Sequence, residues 1–388
     1  MSHPVTTDSS RNTPPLRPDC DLFCRVVDNL GDIGVCWRLA RCLARDHGWR
    51  VRLWVDVPEA LARIKPHGCD EPRIAVMRWS GDLPAGCVPA PMVIEAFACA
   101  LPQTFVAAMA ALGVAPRWIN LEYLSAETWV EDCHRLPSRD AATGLPKHFF
   151  FPGFTLRTGG LLREHDLLAR RDAWRADAML RRDTFERLGM QPRADALQMS
   201  LFSYESRAIA TLVEALSAWP RPVQLWVPEG RVLSSLTNAL GQPLSAGLCA
   251  ISGSLEVGVL PFMDQDDYDA LLWHCDVNAV RGEDSFVRAQ WAARPMLWHI
   301  YAQEDDAHLA KLDAFLERYA EGLDASVAAR LRALHRGWNG VMPVRADDWR
   351  TLLVDLTVLT PHAQRWATRL SAIDDLASQL VLFNQTPI

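Results

Sequence analysis

The order of apolar runs and helical periodicity near the N-terminus restricts the fold more than any other feature of this sequence. A short apolar run at 22–27 is followed by a turn-rich stretch. Val35, Leu39 and Leu43 then recur at the four-residue spacing of a buried helix face. A second apolar run follows at 51–55. Two strands joined by a helix predict a parallel pair, because parallel strands need a long crossover connection.

The same alternation continues through most of the chain, which predicts doubly wound α/β domains. It weakens between about 125 and 193, where an aromatic, glycine-containing loop over 147–160 precedes a charged helical stretch over 161–188. We place a domain boundary there, since 388 residues suffice for two domains of about 150 residues each. Strands are expected at 74–77, 92–95, 118–121, 196–201, 223–227, 255–260, 277–280 and 296–300.

The expected organisation has four segments. The N-terminal residues are rich in Ser, Thr and Pro and lack the apolar segment of a secretory signal, so residues 1–20 are predicted to form a disordered tail. The first α/β domain is predicted over 21–185 and the second over 190–360. The helix-like tail over 361–388 is expected to return to the first domain, by analogy with other two-domain proteins of this plan.

Composition and charge exclude several classes of protein. Hydrophobic residues make up 49% of the chain and charged residues 22%, which is typical of soluble globular proteins. The 40 basic and 47 acidic side chains leave a net charge of −7, so no overall positive field exists to hold nucleic acid. The ten cysteines are irregularly spaced and never form CxxC, which favours a reducing, cytoplasmic location. No run approaches the roughly 18 apolar residues that a membrane span needs.

Common catalytic motifs are missing from the sequence. There is no GxGxxG after the first predicted strand and no P-loop motif, which argues against dinucleotide-binding proteins and P-loop ATPases. Neither HExxH nor GxSxG occurs, and the eleven histidines are scattered without metal-ligand spacing. We therefore expect neither a metal centre nor a serine hydrolase.

The first candidate site is the loop between the first predicted strand and helix, Asp28-Asn-Leu-Gly-Asp-Ile-Gly34. Ligands of open α/β sheets bind at this edge. Asp28 and Asp32 could converge on one substrate group. Gly31 and Gly34 permit tight backbone geometry and close approach of a ligand. The alternative is that Asp32 caps the helix while Asp28 forms a turn, and the residues alone leave both interpretations open.

Two further candidate sites lie in the second predicted domain. Asp284 and Ser285 are typical of a helix start, and a helix N-terminus binds phosphate through its free N–H groups. Glu283 beside them is suited to bonding sugar hydroxyls, or it belongs to an ordinary acidic cap. Aromatic and amide side chains at 202–204 and 261–268 can stack a base and read its edge, although scattered aromatics are often core residues.

Three long strings together resemble one protein family. They are 22–40 (LFCRVVDNLGDIGVCWRLA), 147–155 (KHFFFPGFT) and 280–291 (VRGEDSFVRAQW). They resemble, in the same order, the bacterial protein-arginine rhamnosyltransferases that modify elongation factor P, the EarP family. The resemblance runs from about Asp21 to the C-terminus. It implies a GT-B glycosyltransferase with two Rossmann-like domains facing each other across a cleft, the first on the acceptor side and the second binding the donor.

The resemblance also implies the reaction and its partners. L-rhamnose moves from the donor substrate dTDP-β-L-rhamnose to an arginine guanidinium of elongation factor P, with inversion at the anomeric carbon. No metal, further cofactor, nucleic acid or membrane is implied. By motif matching, the catalytic residues are Asp28, Asp32 and Glu283. The substrate-binding residues are Asn29, Gly31, Phe202, Tyr204, Phe262, Gln265, Tyr268, Asp284 and Ser285.

Elementary chemistry is consistent with these implied roles. A guanidinium is delocalised and holds its proton to very high pH, so a carboxylate must localise its charge and accept a proton as the C–N bond forms. Asp32 is the expected base, and Asp28 either clamps the guanidinium or supports Asp32. The helix start at Ser285 and hydroxyls such as Tyr204 would meet the charge on the leaving diphosphate. Glu283 could hold the rhamnose, the ribose or its own loop.

Other functions stay open on the sequence alone. The same fold and donor could serve a different acceptor, because no motif marks the acceptor surface. The chain could also be a non-catalytic α/β protein that binds an elongation factor, although three retained carboxylates argue against a scaffold. A nucleic-acid binder is suggested only by the aromatic residues of 147–154, and the negative charge argues against it.

Overall fold

The fold consists of two α/β domains, each built around a mainly parallel sheet. The computed structural model describes residues 17–27, 30–65, 71–81, 84, 86–303 and 306–386. Most of the predicted N-terminal tail lies outside these ranges, as do the predicted site residues Asp28 and Asn29. The two parallel sheets confirm the predicted fold class.

The first sheet contains seven strands. They are β1 (Cys20–Cys24), β2 (Val51–Val55), β3 (Ile74–Arg78), β4 (Met92–Ala96), β5 (Arg117–Leu121), β6 (Pro137–Arg139) and β7 (Pro146–Phe150). Their order across the sheet is β3-β2-β1-β4-β5-β7-β6, and every neighbouring pair is parallel except β6 with β7. The middle strands β1 and β4 are buried throughout, as expected of a parallel sheet covered on both faces.

Two hydrophobic cores flank the first sheet. Its helices are α1 (Gly31–Arg45), α2 (Pro58–Ile64), α3 (Gln103–Ala110) and α4 (Trp129–Cys133). Helix α1 contributes Leu39 and Leu43 to the core on one face. Phe105 and Met109 of α3 pack with Phe23 of β1 on the opposite face. The predicted spacing of apolar residues corresponds to the side of α1 that packs on the first sheet, while Arg38 and Arg41 are buried on its other side, against the second domain.

The aromatic string at 147–151 is a strand in its first part, so the predicted loop over 147–160 is wrong there. Strand β7 pairs in parallel with β5, and Phe150 is fully buried in the first core. Aromatic residues favour strands because they pack well on a pleated, half-buried surface. The strand begins at Pro146, and Pro152 follows two residues after its end.

The second sheet contains six strands. They are β8 (Leu197–Leu201), β9 (Val223–Pro228), β10 (Cys249–Ser252), β11 (Leu255–Leu260), β12 (Val277–Arg281) and β13 (Met296–His299). Their order across the sheet is β10-β11-β9-β8-β12-β13, and only the pairing of β10 with β11 is antiparallel among them. The helices that follow the first domain are α5 (Leu167–Ala176), α6 (Ala178–Leu188), α7 (Ala208–Ser217), α8 (Val232–Leu240), α9 (Gln265–His274), α10 (Asp284–Ala292), α11 (Ala307–Tyr319), α12 (Ala325–Trp338), α13 (Ala346–Ser371) and α14 (Leu376–Gln385).

The charged stretch at the predicted domain boundary forms α5 and α6, which pack on α9 of the second domain. The sequence analysis assigned residues up to 185 to the first domain. Leu167, Trp174 and Leu188 nevertheless belong to the core of the second domain, where Trp174 meets Trp273 edge to face. The apolar face of these helices finds its partner there, so by packing the first domain ends before α5.

The C-terminal tail is divided between the two domains. Residues 361–371 complete the long helix α13, which packs on α7, α10 and α12 of the second domain. Helix α14 packs on α1 of the first domain and buries Leu376, Ala377 and Leu380 in its core. The chain thus returns to the first domain at Leu376, later than the predicted 361, because Asp375 caps a separate helix. No helix in the described part of the chain has both the length and the apolar character needed to cross a membrane.

Candidate active site

A cleft of about 730 Å³, open to solvent, separates the start of α1 from the carboxyl ends of β8, β9, β11 and β12. This is the edge at which open α/β sheets bind ligands. We call it the aromatic cleft, after Phe202, Tyr204, Phe262 and Tyr268 in its wall. The predicted site residues in this wall are Gly31, Phe202, Tyr204, Phe262, Gln265, Tyr268, Glu283, Asp284 and Ser285.

Aromatic rings and one guanidinium form one wall of the aromatic cleft. The Phe202 and Tyr268 rings meet edge to face, with their centroids 5.5 Å apart. The guanidinium carbon of Arg281 lies 4.4 Å from the ring centroid of Phe202 and 4.8 Å from that of Tyr204. Arginine stacks on aromatic faces in this way because the faces carry negative potential.

Arg281 is a candidate site residue that the sequence analysis missed. Its Nη1 is buried and has no hydrogen-bond partner among the described residues. It lines the cleft directly before the start of α10, the predicted phosphate-binding helix. A basic residue at the end of a strand, immediately before such a helix, was the sequence signal that could have identified it.

Gln265 connects the cleft to the first domain. Its Nε2 donates to the Gly34 carbonyl oxygen at 3.0 Å and to Asp284 Oδ2 at 3.3 Å. Its Oε1 is buried and accepts no hydrogen bond from the described residues. These hydrogen bonds fix the side chain across the domain boundary. The Oε1 atom can still accept a hydrogen bond from a ligand bound in the cleft.

The start of α10 forms another part of the wall of the aromatic cleft. Gly282 adopts a left-handed φ of 59° that turns the chain from β12 into the helix. The Ser285 hydroxyl donates to the Arg281 carbonyl oxygen and accepts from the Arg281 N–H, which fixes the first turn. The free N–H groups of this turn can bind an anion, because they and the helix dipole both favour negative charge.

A second cavity of about 820 Å³ continues from the first, and the two share Gly31, Gly282 and Glu283. We call it the acidic cavity, after Asp32 and Glu283 in its wall. Loops from both domains line it, so a ligand inside would contact both halves of the protein. Its remaining lining residues include Val27, Phe97, Tyr123, Trp298, Tyr301 and Lys311.

Asp32 is buried in the first turn of α1 and turns toward the preceding loop. Its Oδ2 accepts a hydrogen bond from the Val27 N–H at 2.9 Å, and its Oδ1 accepts one from the Tyr123 hydroxyl at 3.3 Å. Leu30 stands at the N-cap position, and no described side chain caps the helix. The alternative of Asp32 as an ordinary helix cap is therefore not the arrangement found.

Glu283 faces Asp32 from the second domain, at the N-cap position of α10. Its Oε2 accepts a hydrogen bond from the Leu124 N–H at 3.0 Å. Burial, with a smaller effect of the Asp32 and Asp284 charges, raises the pKa of Glu283 to about 8, although Leu124 and Lys311 oppose this shift. Most of this carboxyl is therefore protonated at neutral pH.

Asp284 joins the two domains through a buried group of charges. Its Oδ1 accepts from Arg38 Nε of helix α1 at 2.8 Å. Arg38 also contacts Asp269 at 3.1 Å and Glu164 at 3.4 Å, and Arg288 bridges the same two carboxylates at 2.6 and 2.8 Å. Burial raises the pKa of Asp284, while Arg38 and Arg288 oppose that change.

Sequence reasoning missed this interdomain network, because no local pattern marks it. Glu164 lies 126 residues from Arg38 and 124 residues from Arg288 along the chain. Both oxygens of Asp284 accept protein hydrogen bonds within the network, although its side chain also lines the cleft. This geometry indicates that Asp284 holds α1 against α10 and also contributes to the wall of the cleft.

The described residues contain no group of three or more His, Cys, Asp or Glu side chains placed to hold a metal ion. The predicted independence of metal stays a prediction. The roles of Asp28 and Asn29, which lie outside the described residues, also stay predictions.

Comparisons with known proteins show which family has this arrangement. The family model of the elongation factor P (EF-P) rhamnosyltransferase EarP matches residues 20–385. The protein-arginine rhamnosyltransferase of Pseudomonas putida is 50% identical over 372 residues, covering 94% of this chain and 97% of that protein. The enzyme of the same name from Pseudomonas aeruginosa is 49% identical over 370 residues, with 94% and 98% coverage.

Solved structures agree with the sequence relatives. A structure describing EarP-mediated arginine glycosylation of translation elongation factor EF-P superposes with a TM-score of 0.69 at 38% identity, covering 95% of this chain and 99% of that one. The spinosyn rhamnosyltransferase SpnG, 13% identical, superposes with a TM-score of 0.50 over 94% of this chain and all of its own, which supports the GT-B fold alone. The chain belongs to the EarP family of elongation factor P rhamnosyltransferases, and it is accordingly a protein-arginine rhamnosyltransferase of GT-B fold.

Proposed function

We propose that this chain transfers L-rhamnose from dTDP-β-L-rhamnose to an arginine of elongation factor P with inversion of the anomeric carbon. The observation that carries the proposal is that the aromatic cleft and the acidic cavity meet at Gly31 and Glu283. A nucleotide in the cleft would present its sugar at this junction. An arginine entering the cavity would meet the sugar beside Asp32.

The aromatic cleft suits the nucleotide half of such a donor. Ring faces and edges of Phe202 and Tyr268 offer stacking surfaces for a base. The unpaired Oε1 of Gln265 can accept a hydrogen bond from an N–H on the base edge. These features support a pyrimidine such as thymine, which has one ring N–H at that edge.

The part of the cleft between Arg281 and the start of α10 suits the diphosphate. The unpaired Nη1 of Arg281 can donate to a phosphate oxygen, and the first-turn N–H groups of α10 can donate to another. Both would strengthen as negative charge develops on the leaving group.

The transfer step balances with Asp32 as the base. A nitrogen of the acceptor guanidinium attacks C1 of rhamnose while the bond from C1 to the diphosphate oxygen breaks. The proton on that nitrogen passes to a carboxylate oxygen of Asp32, and the bonding electron pair leaves with dTDP. Attack from the side opposite the leaving group converts the β-linked sugar of the donor into an α-linked product. An arginine that fills the acidic cavity beside Asp32 would displace water, the competing acceptor.

Glu283 has a different role in this proposal. Because its pKa is raised to about 8, the carboxyl can donate a hydrogen bond to a sugar or phosphate oxygen of the donor at neutral pH. An ionised carboxylate would only accept hydrogen bonds and would repel the diphosphate. Glu283 thus holds the donor at the junction of the two cavities.

The direct test incubates the protein with dTDP-β-L-rhamnose and unmodified elongation factor P and follows the intact mass of the acceptor. We expect one deoxyhexose on a single arginine, an α linkage in the product by NMR, and unchanged activity in EDTA. Asp32→Asn should lower the rate by about 10² to 10⁴-fold, because the acceptor proton loses its base. Binding of dTDP should persist in this variant, since Asp32 lines the acidic cavity and not the aromatic cleft.

Asp347→Asn is the matched control, because this aspartate is 79% exposed on α13 and away from both cavities. It should retain full activity. Modification of free arginine or another protein, but not of elongation factor P, would overturn the acceptor. A β-linked product would overturn inversion, and a preference for another nucleotide would overturn the donor.

A further inference from the structure

Two adjacent residues connect the candidate catalytic carboxylates of the two domains. The loop after β5 places the Tyr123 hydroxyl 3.3 Å from Asp32 Oδ1 and the Leu124 N–H 3.0 Å from Glu283 Oε2. Asp32 belongs to the first domain and Glu283 to the second. One short loop therefore contacts both carboxylates. It couples the position of Asp32 to the position of Glu283.

The same tyrosine forms one half of a stacked aromatic pair. The rings of Tyr123 and Phe97 lie 4.3 Å apart between centroids, at an interplanar angle of 12°. Both residues line the acidic cavity with Asp32. Phe97 is half-buried, so its ring has a packed side and a side toward the cavity.

The turn that carries Phe97 adopts a backbone conformation that most residues avoid. Phe97, Ala98 and Ala100 have φ values of 56°, 51° and 58° in the left-handed region, although none is glycine. Such residues persist only where the surrounding structure holds them, and they concentrate at binding sites.

Buried side chains hold this turn in place. Asn120 Oδ1 accepts from the Ala98 N–H at 3.2 Å, and Glu95 Oε1 accepts from the Ala100 N–H at 3.0 Å. The Phe97 N–H donates to the Leu121 carbonyl oxygen at 2.7 Å. Three separate hydrogen bonds to β4 and β5 thus fix the backbone of the turn from which the Phe97 ring stacks on Tyr123.

The aromatic pair has the chemistry of a guanidinium platform. Aromatic faces attract cations, and a planar guanidinium can lie flat against a ring while its N–H groups reach a carboxylate at the side. Asp32 is at hydrogen-bond distance from the hydroxyl of this same ring. The Lys311 amine lies 5.7 Å from the Tyr123 ring centroid, so one cation is already accommodated beside it.

We propose that the stacked Phe97–Tyr123 pair is the platform on which the acceptor guanidinium lies, and that Tyr123 is a positioning residue that orients Asp32 through its hydroxyl. The proposal rests on the proposed function, since it assigns the acceptor half of that reaction. The two parts predict different kinetic effects, because the platform acts on acceptor binding and the hydroxyl acts on the chemical step.

Removing the hydroxyl alone tests the positioning role. Tyr123→Phe keeps the ring, so the KM for elongation factor P should stay within about twofold of the wild-type value. The kcat should fall about tenfold or more, since misplacement of a catalytic group by about 1 Å costs up to 10²-fold.

Removing the stacking ring tests the platform. Phe97→Leu should raise the KM for elongation factor P about fivefold, at the upper end of what an exposed cation–π contact contributes, with a smaller change in kcat. Phe97→Tyr keeps an aromatic face and should restore the wild-type KM.

Phe149→Leu is the matched control, because Phe149 is a half-buried aromatic residue of β7 that lines neither cavity. Its kinetic constants should match those of the wild type. Binding of dTDP, measured by calorimetry, should be unchanged in every variant, which separates acceptor effects from donor effects and from misfolding.

The outcomes separate this inference from the proposed function. If the wild-type protein does not modify elongation factor P, the proposed function fails. If the wild-type protein is active and Tyr123→Phe keeps the wild-type kcat, Tyr123 does not position Asp32. If Phe97→Leu keeps the wild-type KM, or if Phe97→Tyr fails to restore it, the aromatic platform is overturned.

Discussion

The carboxyl of Glu283 is subject to two opposing effects. It stands at the N-cap of α10, where a helix N-terminus stabilises negative charge. Burial, together with Asp32 and Asp284 nearby, nevertheless raises its pKa to about 8. Burial is the larger effect, so the Glu283 carboxyl is neutral at a position where the helix N-terminus favours negative charge.

This shift predicts a pH-dependent stability. Between its ordinary pKa near 4.5 and about 8, the unfolded chain releases the Glu283 proton while the folded chain keeps it. The wild type therefore loses stability across this window as the pH rises. Glu283→Gln, which cannot titrate, should gain on the order of 2 kcal/mol relative to the wild type between pH 5 and pH 8.5, after allowance for partial exposure.

Urea unfolding at both pH values measures this difference. Glu127→Gln is a control, because Glu127 is half-buried in the first domain and lines neither cavity. A Glu283→Gln variant whose stability relative to the wild type is the same at pH 5 and pH 8.5 would contradict the raised pKa.

The buried cation Arg38 leads to a second prediction at the residue scale. Arg38→Met leaves the Asp284, Asp269 and Glu164 carboxylates with Arg288 as their remaining close cation among the described residues. Removing one partner of a buried ionic group costs about 3–5 kcal/mol, because the charges left behind are uncompensated.

Equilibrium unfolding compares this variant with Arg330→Met. Arg330 pairs with Asp355 on the surface, where the arginine side chain is 43% exposed, so its loss should cost less than about 1 kcal/mol. Equal losses in the two variants would show that burial adds nothing to the interdomain network.

At the scale of elements, the sequence predicted the apolar strands better than the polar ones. The runs at 51–55 and 223–227 became β2 and β9 with bounds within a residue, since burial on both faces requires continuous apolar residues. Strands β6 and β10, at the edges of the two sheets, were not predicted, because 137–139 is polar and exposed and 249–252 is only four residues long. Helices α5 and α6 were found but assigned to the wrong packing partner, since periodicity identifies a buried face and not what covers it.

Gly160 lies where two connections between the domains meet, and it has no room for a side chain. It adopts φ 70° where the chain leaves the first domain, and a Cβ there would collide with the Asp374 carbonyl oxygen just before α14. The neighbouring Leu161 carbonyl oxygen accepts from the Leu376 N–H at 3.1 Å. The chain leaves the first domain near Gly160 and returns to it near Leu376, and these two segments lie side by side here.

Gly160→Ala should therefore destabilise the docking of α14 on the first domain. We expect a loss of more than about 3 kcal/mol, from the left-handed strain and the collision with a backbone atom together. Gly144→Ala is the control, because Gly144 has φ 72° but open space around it, so its cost should be only about 1 kcal/mol.

Thermal unfolding and hydrogen exchange of residues 376–385 measure both variants. In Gly160→Ala we expect faster hydrogen exchange that is confined to α14. Equal stability of the two alanine variants would contradict the steric argument.

At the scale of the whole molecule, both domains contribute to the wall of the aromatic cleft. Gly31 and Ile64 come from the first domain, while Tyr268 and Arg281 come from the second. A ligand in the cleft therefore stabilises the assembled pair of domains. Domain closure on binding would use the same contacts.

This arrangement predicts a ligand-dependent unfolding temperature. At 100 times its Kd, dTDP should add about 2.7 kcal/mol to the free energy of unfolding, with or without EDTA. Arg281→Gln should weaken the effect, because the diphosphate loses a donor whose Nη1 has no other described partner.

Thermal shift with increasing dTDP checks this expectation. Arg345→Gln serves as the control, because its side chain is 81% exposed at the start of α13 and does not line the cleft. If dTDP raises the unfolding temperature of Arg281→Gln as much as that of the wild type, Arg281 does not bind the diphosphate.

The sequence by itself determined the two α/β domains, the family and the order of the candidate site residues along the chain. Apolar runs and helical spacing are local properties, and the strings around Asp32 and Glu283 are contiguous, so both can be read without a fold. Tertiary structure alone decided which of these residues meet. Tyr123 reaches Asp32 across 91 positions, and Arg38 reaches Asp284 across 246. Such contacts depend on how two sheets and the helices between them pack, which no local pattern in the chain records.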